Sequence, residues 1–550
     1  MGDYKVESAQ AQKRRDDKIA AFWQIPDIND ADLPNDLRDY PRTSGLLTEE
    51  EVAIIYTDAP KLVAQLRAKE LTSYAVTKAF CKASVIAQKL TNCVTEVMFE
   101  EGLKRAQELD GSYAKTGKPS GPLHGLPMSL KDCYTFAPYP SSIGLAKYAN
   151  KEMERDSVVV EQLKSLGAVF YVKTNVPTLM LLTETNNNIW GETRNPCHKK
   201  LTPGGSSGGE GAILAVHGAP LGIGTDIGGS IRIPAAYCGI YGLKPSNGRI
   251  SMLGNQPSLP GQDFIYGVGG PMAPTLGGLK LFLENVCSAE IESWGADPKI
   301  IPIPWRKDVI QPKGRKLRFG IIKNNDKTVT CHPPIERALR EVREKIEKAG
   351  HEIVEWDPSD GGKNSQILMH GLRDLGGDYA SSILGEYQEP PVGALSKNFV
   401  PDLTKEKVGI TSEKLRNMII ARNNFQKEFL DKWMATKSET EGPIDGLIFP
   451  VNPYAAPPLD WTKKREYLGY TTLFNVLDYS SCVFPVTSVD KAVDVKRGDG
   501  WTPLSDYDKE IQDDYDPEFY HGAPVSLQIV TRRLEEEKAI ELVDVVSKLL

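Results

Sequence analysis

The chain has 550 residues, of which 40% are apolar and 25% charged, an ordinary composition for a folded globular protein. Its formal net charge of −7 argues against nucleic acid as a partner, because nucleic-acid-binding surfaces are usually basic. No stretch approaches the roughly 20 apolar residues of a membrane span, so we expect no transmembrane segment. The eight cysteines include no Cys-x-x-Cys pair. This predicts free thiols in a reducing compartment and a cytoplasmic protein.

Residues 1–70 are predicted to form an N-terminal helical arm. Thr48 followed by three glutamates is typical of a capping box at a helix start. The basic run at 13–15 is followed by two aspartates, and we interpret it as a solvated helix face. Trp23 and Ile25 are the residues expected to dock this arm on the rest of the chain.

From residue 71 to residue 550 predicted strands and helices alternate, which indicates one large domain. The alternation predicts an α/β fold with a large, mainly parallel, twisted mixed sheet and helices on both faces. The predicted strands are 94–98, 126–132, 168–174, 220–225, 316–322, 351–356, 445–452, 481–487 and 524–530. Residues 358–440 interrupt the alternation and predict a mostly helical insertion. Residues 490–520 are predicted to be an acidic, aromatic loop.

The segment from 203 to 245 is unusually rich in glycine, and two glycine runs in it contain serine: GGSSGG with Ser206 and DIGGS with Ser230. Glycine allows close approach to the backbone, so the N–H groups of 227–230 could converge on one oxygen. An uncrowded serine beside such donors suits an acyl-transfer nucleophile with an oxyanion hole. The alternative is a phosphate-binding loop, but the spacing fits neither the dinucleotide fingerprint nor the P-loop pattern.

A second interpretation of GGSSG is the nucleophile elbow of α/β-hydrolases, which has the pattern G-x-S-x-G. That motif requires a strand directly before the serine. The preceding residues are RNPCHKKLTP, and two prolines with a basic run are poor strand material. The sequence context therefore disfavours an elbow at Ser206.

Lys131, in the run SLKD, is a candidate general base. A lysine beside an aspartate is usually a surface group, but Lys131 ends an apolar strand that follows a Gly/Pro-rich loop. Burial lowers the pKa of a lysine and favours the neutral amine that a base needs. Lys–Ser pairs are a known alternative to Ser–His–Asp. Histidine is then unnecessary, and we interpret the nearby His124 as structural or as lining the entrance.

The runs GGSSGG, GTDIGGSIRIP and CGIYGLKPS, with GPLHGLPMSLKD upstream, are similar to the signature of the amidase signature family of serine hydrolases. The similarity is clear from about 71 to 252 and returns at GYTTLFNVLDY and GAPVSLQIV, so it spans most of the chain. The run EGAI after GGSSGG and the fungal-type C-terminal motif resemble the branch of fungal acetamidases and fatty-acid-amide-hydrolase-like enzymes. The resemblance implies hydrolysis of a carboxylic amide to acid plus ammonia or amine, with an acyl-enzyme and no metal or cofactor.

The resemblance also implies a role for each residue of the site. Lys131 would be the base, Ser206 the proton relay across a cis peptide bond, and Ser230 the nucleophile. The residues expected to contact substrate are Met180, Ser206, Ile227, Gly228, Gly229 and Ser230. The expected supporting contacts are a hydrogen bond from Ser207 to Lys131 and a pair between Asp226 and Arg232.

The predicted ligand is a small or medium amide such as acetamide, because no membrane-entry segment is visible. We expect its acyl pocket to be bordered by Met180 and by side chains from 358–440, and to be closed by 474–479. Three alternatives stay open: a lipid-amide hydrolase with a long apolar channel, the amidase subunit of a tRNA-dependent amidotransferase, and a non-catalytic scaffold. The oligomeric state is also open, with a homodimer as one option.

Overall fold

An eleven-stranded mixed sheet crosses the protein in a computed structural model that describes residues 2–311, 313–358, 361–395, 410–439, 441–498 and 500–550. The strand order is β1-β3-β2-β6-β8-β7-β12-β13-β11-β9-β10, and β4 and β5 form a separate two-stranded ribbon. The strands are β1 Val94–Val97, β2 Pro127–Lys131, β3 Val169–Thr174, β4 Asn186–Asn187, β5 Gly191–Glu192, β6 Gly222–Asp226, β7 Tyr241–Lys244, β8 Val268–Ala273, β9 Arg318–Ile321, β10 Glu352–Glu355, β11 Gly446–Pro450, β12 Ser480–Ser488 and β13 Pro524–Thr531.

The sheet is mixed, as predicted, but parallel pairs are not its majority. Among the described strands of the large sheet, four neighbouring pairs are parallel and six are antiparallel. Three of the antiparallel pairs involve β7 and β8 in the centre, and the other three join β1 to β3 and β13 to both of its neighbours, β11 and β12. The sequence did not predict β7 and β8, because β8 (VGGPMA) contains two glycines and a proline, residues of low strand propensity.

Helices cover the sheet. They are α1 Tyr4–Phe22, α2 Tyr40–Thr43, α3 Glu49–Ile55, α4 Ala59–Arg67, α5 Ser73–Thr91, α6 Phe99–Thr116, α7 Ala146–Ala149, α8 Val158–Ser165, α9 Gly208–Ala215, α10 Arg232–Cys238, α11 Leu276–Val286, α12 Ser293–Ala296, α13 Pro333–Lys348, α14 Gly361–Glu386, α15 Ser412–Met434, α16 Gly469–Val476, α17 Asp506–Asp513, α18 Pro517–Tyr520 and α19 Glu536–Ser547. In the described part of the chain, no helix combines the length and apolar character that crossing a membrane requires.

Local signals explain several of these helix boundaries. The hydroxyl of Thr48 accepts from the N–H of Glu51, whose carboxylate accepts from the N–H of Thr48, so the predicted capping box is present. Helix α5 begins after Thr72, which caps it, and ends at Asn92 in the left-handed conformation. The eight cysteines are all buried free thiols.

The N-terminal arm is attached more firmly than the sequence predicted. Only part of the basic run at 13–15 faces solvent: Lys13 pairs with Asp17 at the surface. Arg14 forms an ion pair with Glu96, a buried residue of β1. Arg15 is itself buried and donates to the backbone carbonyl of Val94. The interpretation of this run as a solvated face is therefore wrong for its two arginines, which hold α1 against the sheet edge.

The polar region 358–440 is helical where it is described, in α14 and α15. Residues 359–360, 396–409 and 440 of this predicted insertion lie outside the described residues. The expectation of a loop over 490–520 is wrong in part, since α17 and α18 lie there. The Ser505 hydroxyl caps α17 by accepting from a backbone N–H.

The pairing of β2 with β6 positions the site. These strands are parallel, with Ser129 opposite Gly222 and Leu130 opposite Ile223. Carboxyl ends of parallel neighbours lie at the same edge of a sheet, where open α/β sheets place their ligands. Lys131 at the end of β2 and Asp226 at the end of β6 therefore come to one edge.

Candidate active site

Lys131 is buried at the end of β2, with no exposed side-chain surface. Its Nζ lies 2.7 Å from the Oγ of Ser206 and 2.7 Å from the Oγ1 of Thr225, as a donor to both. Burial lowers the pKa of the Lys131 ammonium to about 8, although nearby carboxylates oppose the shift. The structure thus provides a lysine whose neutral form is accessible near neutral pH.

One of those carboxylates, Glu210, belongs to α9 behind the lysine. Its two oxygens accept from the hydroxyls of Ser129 (2.6 Å) and Thr174 (2.8 Å). Burial raises the pKa of Glu210 to about 7. Ser129 precedes Lys131 by two residues on β2, and Thr174 lies opposite Lys131 on the neighbouring strand β3. The Glu210 carboxyl therefore links α9 to β2, which contains Lys131, and to the neighbouring strand β3.

The segment that contains Ser206 is wholly buried, and its Gly205–Ser206 peptide bond is cis, as the resemblance implied. A side chain at Gly205 would collide with the backbone carbonyls of Leu182 and Glu184. Between β5 and α9 only an isolated bridge at Leu201 has strand character. A nucleophile elbow needs a strand in this place, so the structure does not support that alternative.

Ser207 does not make the predicted hydrogen bond to Lys131. Its hydroxyl lies 3.3 Å from both the carbonyl and the N–H of Thr225, donating to the first and accepting from the second. The second hydroxyl at Lys131 comes from Thr225 instead, which the sequence analysis missed. The backbone N–H of Ser207 donates to the carbonyl of Ser230 at 3.1 Å, which ties the two serine-containing segments together.

The turn that carries Ser230 is organised around the buried carboxylate of Asp226. The predicted pair with Arg232 is present, with Nε–Oδ2 and Nη2–Oδ1 distances of 3.0 and 3.1 Å. Asn475 completes the arrangement, donating to Asp226 and accepting from Arg232. Burial alone would raise the pKa of Asp226, but the guanidinium of Arg232 holds it well below its usual range. The carboxylate stays charged and fixes the turn.

Asp226 also determines which backbone donors remain for a ligand. The N–H of Gly229 donates to Asp226 Oδ1 at 2.9 Å, and that of Ile231 donates to Oδ2 at 3.1 Å. The expectation that the N–H groups of 227–230 all converge on one oxygen is therefore wrong for Gly229. The donors left in the turn are those of Ile227, Gly228 and Ser230, three residues that line a cavity.

That cavity has a volume of about 60 Å³, far below the roughly 300–1,000 Å³ of drug-sized sites. Met180 lines it, as predicted, and so does Met369 of α14, from the predicted insertion. The expectation that 474–479 closes it is wrong: Glu466 and Leu468 take that place. None of the described residues 474–479 lines the cavity. Asn475 of this segment instead contacts Asp226 and Arg232. The described lining residues are Met180, Leu181, Leu182, Thr183, Ile227, Gly228, Ser230, Ile233, Met369, Glu466 and Leu468.

His124 is buried and structural, with its Nδ1 accepting from the backbone N–H of Ser120 and its ring packed on Tyr113. Across the described ranges, no group of three or more His, Cys, Asp and Glu side chains is placed to hold a metal ion. The site residues that sequence reasoning missed are Thr225 and Asn475. The first adjoins Asp226 in the GTDIGG run, a signal that was available, whereas Asn475 lies in the run GYTTLFNVLDY, which the sequence analysis assigned to the pocket and not to the turn at Asp226.

Comparison with known proteins agrees with this fold. Residues 75–540 match the family model described as Amidase. The chain is 40% identical over 521 residues to an acetamidase of Emericella nidulans, covering 93% of this chain and 92% of the relative. It is 38% identical over 551 residues to an acetamidase of Aspergillus oryzae, covering 99% and 98%. Its fold matches a solved fatty acid amide hydrolase with a TM-score of 0.91 and 32% identity, over 99% of this chain and 94% of that one.

The chain belongs to the amidase family. It is an amidase, a hydrolase that cleaves the C–N bond of carboxylic amides.

Proposed function

We propose that this amidase hydrolyses small amides such as acetamide, with Ser230 as nucleophile, Ser206 as proton relay and Lys131 as base. The observation that carries the proposal is the 2.7 Å contact between the buried Lys131 Nζ and the Ser206 Oγ. The next residue, Ser207, donates its backbone N–H to the carbonyl of Ser230, so the two serine segments are adjacent. In the proposal the proton passes from Ser230, which faces the cavity, through Ser206 to the lysine. No histidine is needed in this path.

Each proton has a defined path in this scheme. Neutral Lys131 takes the hydroxyl proton of Ser206, which takes that of Ser230, while the Ser230 Oγ attacks the amide carbonyl carbon. The relay then runs in reverse and protonates the amide nitrogen, the C–N bond breaks, and ammonia or an amine leaves. Water attacks the acyl-enzyme and gives its proton to the same relay. The acid departs and Ser230 recovers its proton.

The carbonyl oxygen becomes negatively charged in the attack, and backbone donors stabilise such charge. The N–H groups of Ile227, Gly228 and Ser230 fill this role in the proposal, since Asp226 occupies that of Gly229. The Asp226–Arg232–Asn475 network fixes the turn before substrate arrives. Such preorganisation lowers the barrier because the donors do not reorganise during the reaction.

The preference for small acyl groups is supported by the cavity, whose volume of about 60 Å³ leaves little room beyond Ser230. It is also supported by the two relatives named acetamidase. A lipid-amide hydrolase is the second candidate, because the matching solved structure is a fatty acid amide hydrolase. A panel of amides from acetamide through benzamide to oleamide separates the two. A kcat/KM for oleamide well above that for the short amides would favour the second candidate.

The roles of the serines are tested with a fluorophosphonate probe and peptide mass spectrometry. The probe should modify Ser230 in the wild-type protein, because only that hydroxyl faces the cavity beside backbone donors. An adduct on Ser206 would reverse the assigned roles, and an adduct on Ser207 would exclude both. Ser207→Ala provides a matched control, since its hydroxyl contacts only the backbone of Thr225, and the variant should label like the wild type.

A further inference from the structure

The helix α16 contacts the turn that carries Ser230 through a hydroxyl. The Oγ1 of Thr471 donates to the backbone carbonyl of Gly228 at 2.7 Å. The same hydroxyl lies 3.2 Å from the carbonyl of Leu468, one turn back in its own chain. A hydroxyl has one proton to donate, and the shorter contact is the one to Gly228. Thr471 itself has no exposed surface.

The acceptor of this bond belongs to a peptide unit that is held at both ends. The Gly228 carbonyl accepts from Thr471, while the N–H of the same unit, on Gly229, donates to Asp226 at 2.9 Å. Glycines flank the unit on both sides, so no side chain restricts its rotation. Gly229 has a φ of +130°, and a Cβ there would lie 2.7 Å from the Thr471 hydroxyl. The two hydrogen bonds therefore set the orientation of this unit.

Orientation of this unit determines where its neighbours point. Rotating it changes ψ of Gly228 and φ of Gly229, the angles that separate the N–H of Gly228 from that of Ser230. Gly228 and Ser230 both line the cavity, and both N–H groups serve as oxyanion donors in the proposed function. Asn475, one helical turn after Thr471, reaches Asp226 at 2.8 Å. Helix α16 thus holds the unit directly through Thr471 and indirectly through Asn475.

From this geometry we infer that Thr471 is a positioning residue for the oxyanion donors. The inference rests on the proposed function, in which Ser230 is attacked and the N–H groups beside it hold the developing charge. Thr471 does not touch the reacting atoms. It acts on the transition state through the Gly228–Gly229 peptide unit, so its removal should weaken binding of the tetrahedral species more than binding of planar ligands.

The test compares Thr471→Val, which removes the hydroxyl with little change of shape, with Thr471→Ser, which retains it. Thr472→Val is a matched control, because Thr472 is equally buried in the same helix but its hydroxyl contacts Leu468 and Ser365. Turnover of acetamide is normalised to active sites titrated with a fluorophosphonate, so a loss of folded protein does not count as a loss of rate. Inhibition by 1,1,1-trifluoroacetone, which forms a tetrahedral adduct on a serine, is measured beside inhibition by planar acetate.

Thr471→Val should lower kcat about 10- to 100-fold, somewhat less than the loss of a direct oxyanion donor, with KM changed by less than about threefold. The inhibition constant of trifluoroacetone should rise by the factor that kcat/KM loses, while that of acetate stays constant. Thr471→Ser and Thr472→Val should stay within about threefold of wild type. An unchanged trifluoroacetone constant in Thr471→Val overturns the inference. Ser230→Ala distinguishes failure of the proposed function from failure of this inference. If Ser230→Ala keeps turnover, the proposed function fails. If Ser230→Ala is inactive and Thr471→Val behaves like the wild type, only the inference about Thr471 fails.

Discussion

The two glycine–serine segments of this amidase look alike in sequence but occupy opposite environments. Residues 204–207 are buried throughout, and Ser206 meets a buried lysine. In the turn from 226 to 230, Ile227, Gly228 and Ser230 keep partial exposure and face the cavity. A buried hydroxyl beside a lysine suits proton transfer, whereas a partly exposed one beside free backbone donors suits attack on a substrate. The contrast indicates that burial, more than local sequence, distinguishes the roles proposed for the two serines.

The largest effect that this comparison predicts is for Ser230→Ala. Removing a nucleophile costs about 10⁴-fold or more in kcat, and fluorophosphonate labelling should disappear with it. Steady-state kinetics and mass spectrometry check both outcomes. A variant that keeps even a tenth of the wild-type kcat would mean that the exposed serine is not the nucleophile.

Lys131→Ala should leave a folded protein with kcat reduced toward the upper end of the 10²–10⁴-fold range of general acid–base groups. Lys244 provides a control, since burial also lowers its pKa to about 8 but its Nζ donates only to the carbonyl of Pro245. Lys244→Met should retain turnover within about tenfold, with thermal unfolding used to verify folding. Equal losses in the two variants would show that burial of lysine in this sheet is structural and not catalytic.

Ser206→Ala should slow turnover about 10²- to 10³-fold, because the nucleophile loses its path to the base. The fluorophosphonate adduct should still form, slowly, on Ser230. This outcome distinguishes a relay from a nucleophile, since removal of the attacked serine abolishes the adduct completely. Rapid labelling at the wild-type rate would mean that Ser230 is activated without Ser206.

The pH dependence of kcat/KM should report the ionisation of Lys131. The base must be neutral, and with a pKa of about 8 only about a tenth of the lysines are neutral at pH 7. Activity should therefore rise nearly tenfold per pH unit below pH 8 and level off above it. A substrate without an ionisable group, such as acetamide, keeps the profile free of substrate titration. A flat profile between pH 6 and 9 would exclude the lysine as the titrating base.

The smallest predicted effect concerns the cavity. Met369→Ala removes a side chain from its wall and should raise the kcat/KM ratio of butyramide to acetamide about 3- to 10-fold, since a methylene in such a pocket is worth about 1–3 kcal/mol. Ile367→Ala, two residues earlier on α14 but 58% exposed, should leave the ratio unchanged. Equal ratios in both variants would place the acyl group elsewhere.

Much of the fold was predictable because it depends on local patterns. Apolar runs gave β2, β3, β6, β11 and β13 nearly to the residue, and capping residues located the starts of α3 and α5. Strands β7 and β8 were not predicted because their glycines and proline have low strand propensity. Pairing with neighbouring strands on both sides stabilises them in the fold. Arg14 and Arg15 were misread for a similar reason: their partners Glu96 and Val94 lie about 80 residues away along the chain.

The sequence by itself determined the family, the two serine segments and the lysine, because these motifs are contiguous and their chemistry follows from residue type. Only the tertiary structure decided what each group contacts. Thr225 replaced Ser207 at the lysine, and Asp226 removed Gly229 from the backbone donors. The residues that hold the turn from α16 are more than 240 positions away from it in sequence. Hydrogen bonds depend on tenths of an ångström and on the register of the β2–β6 pair, and no local pattern of residues encodes those distances.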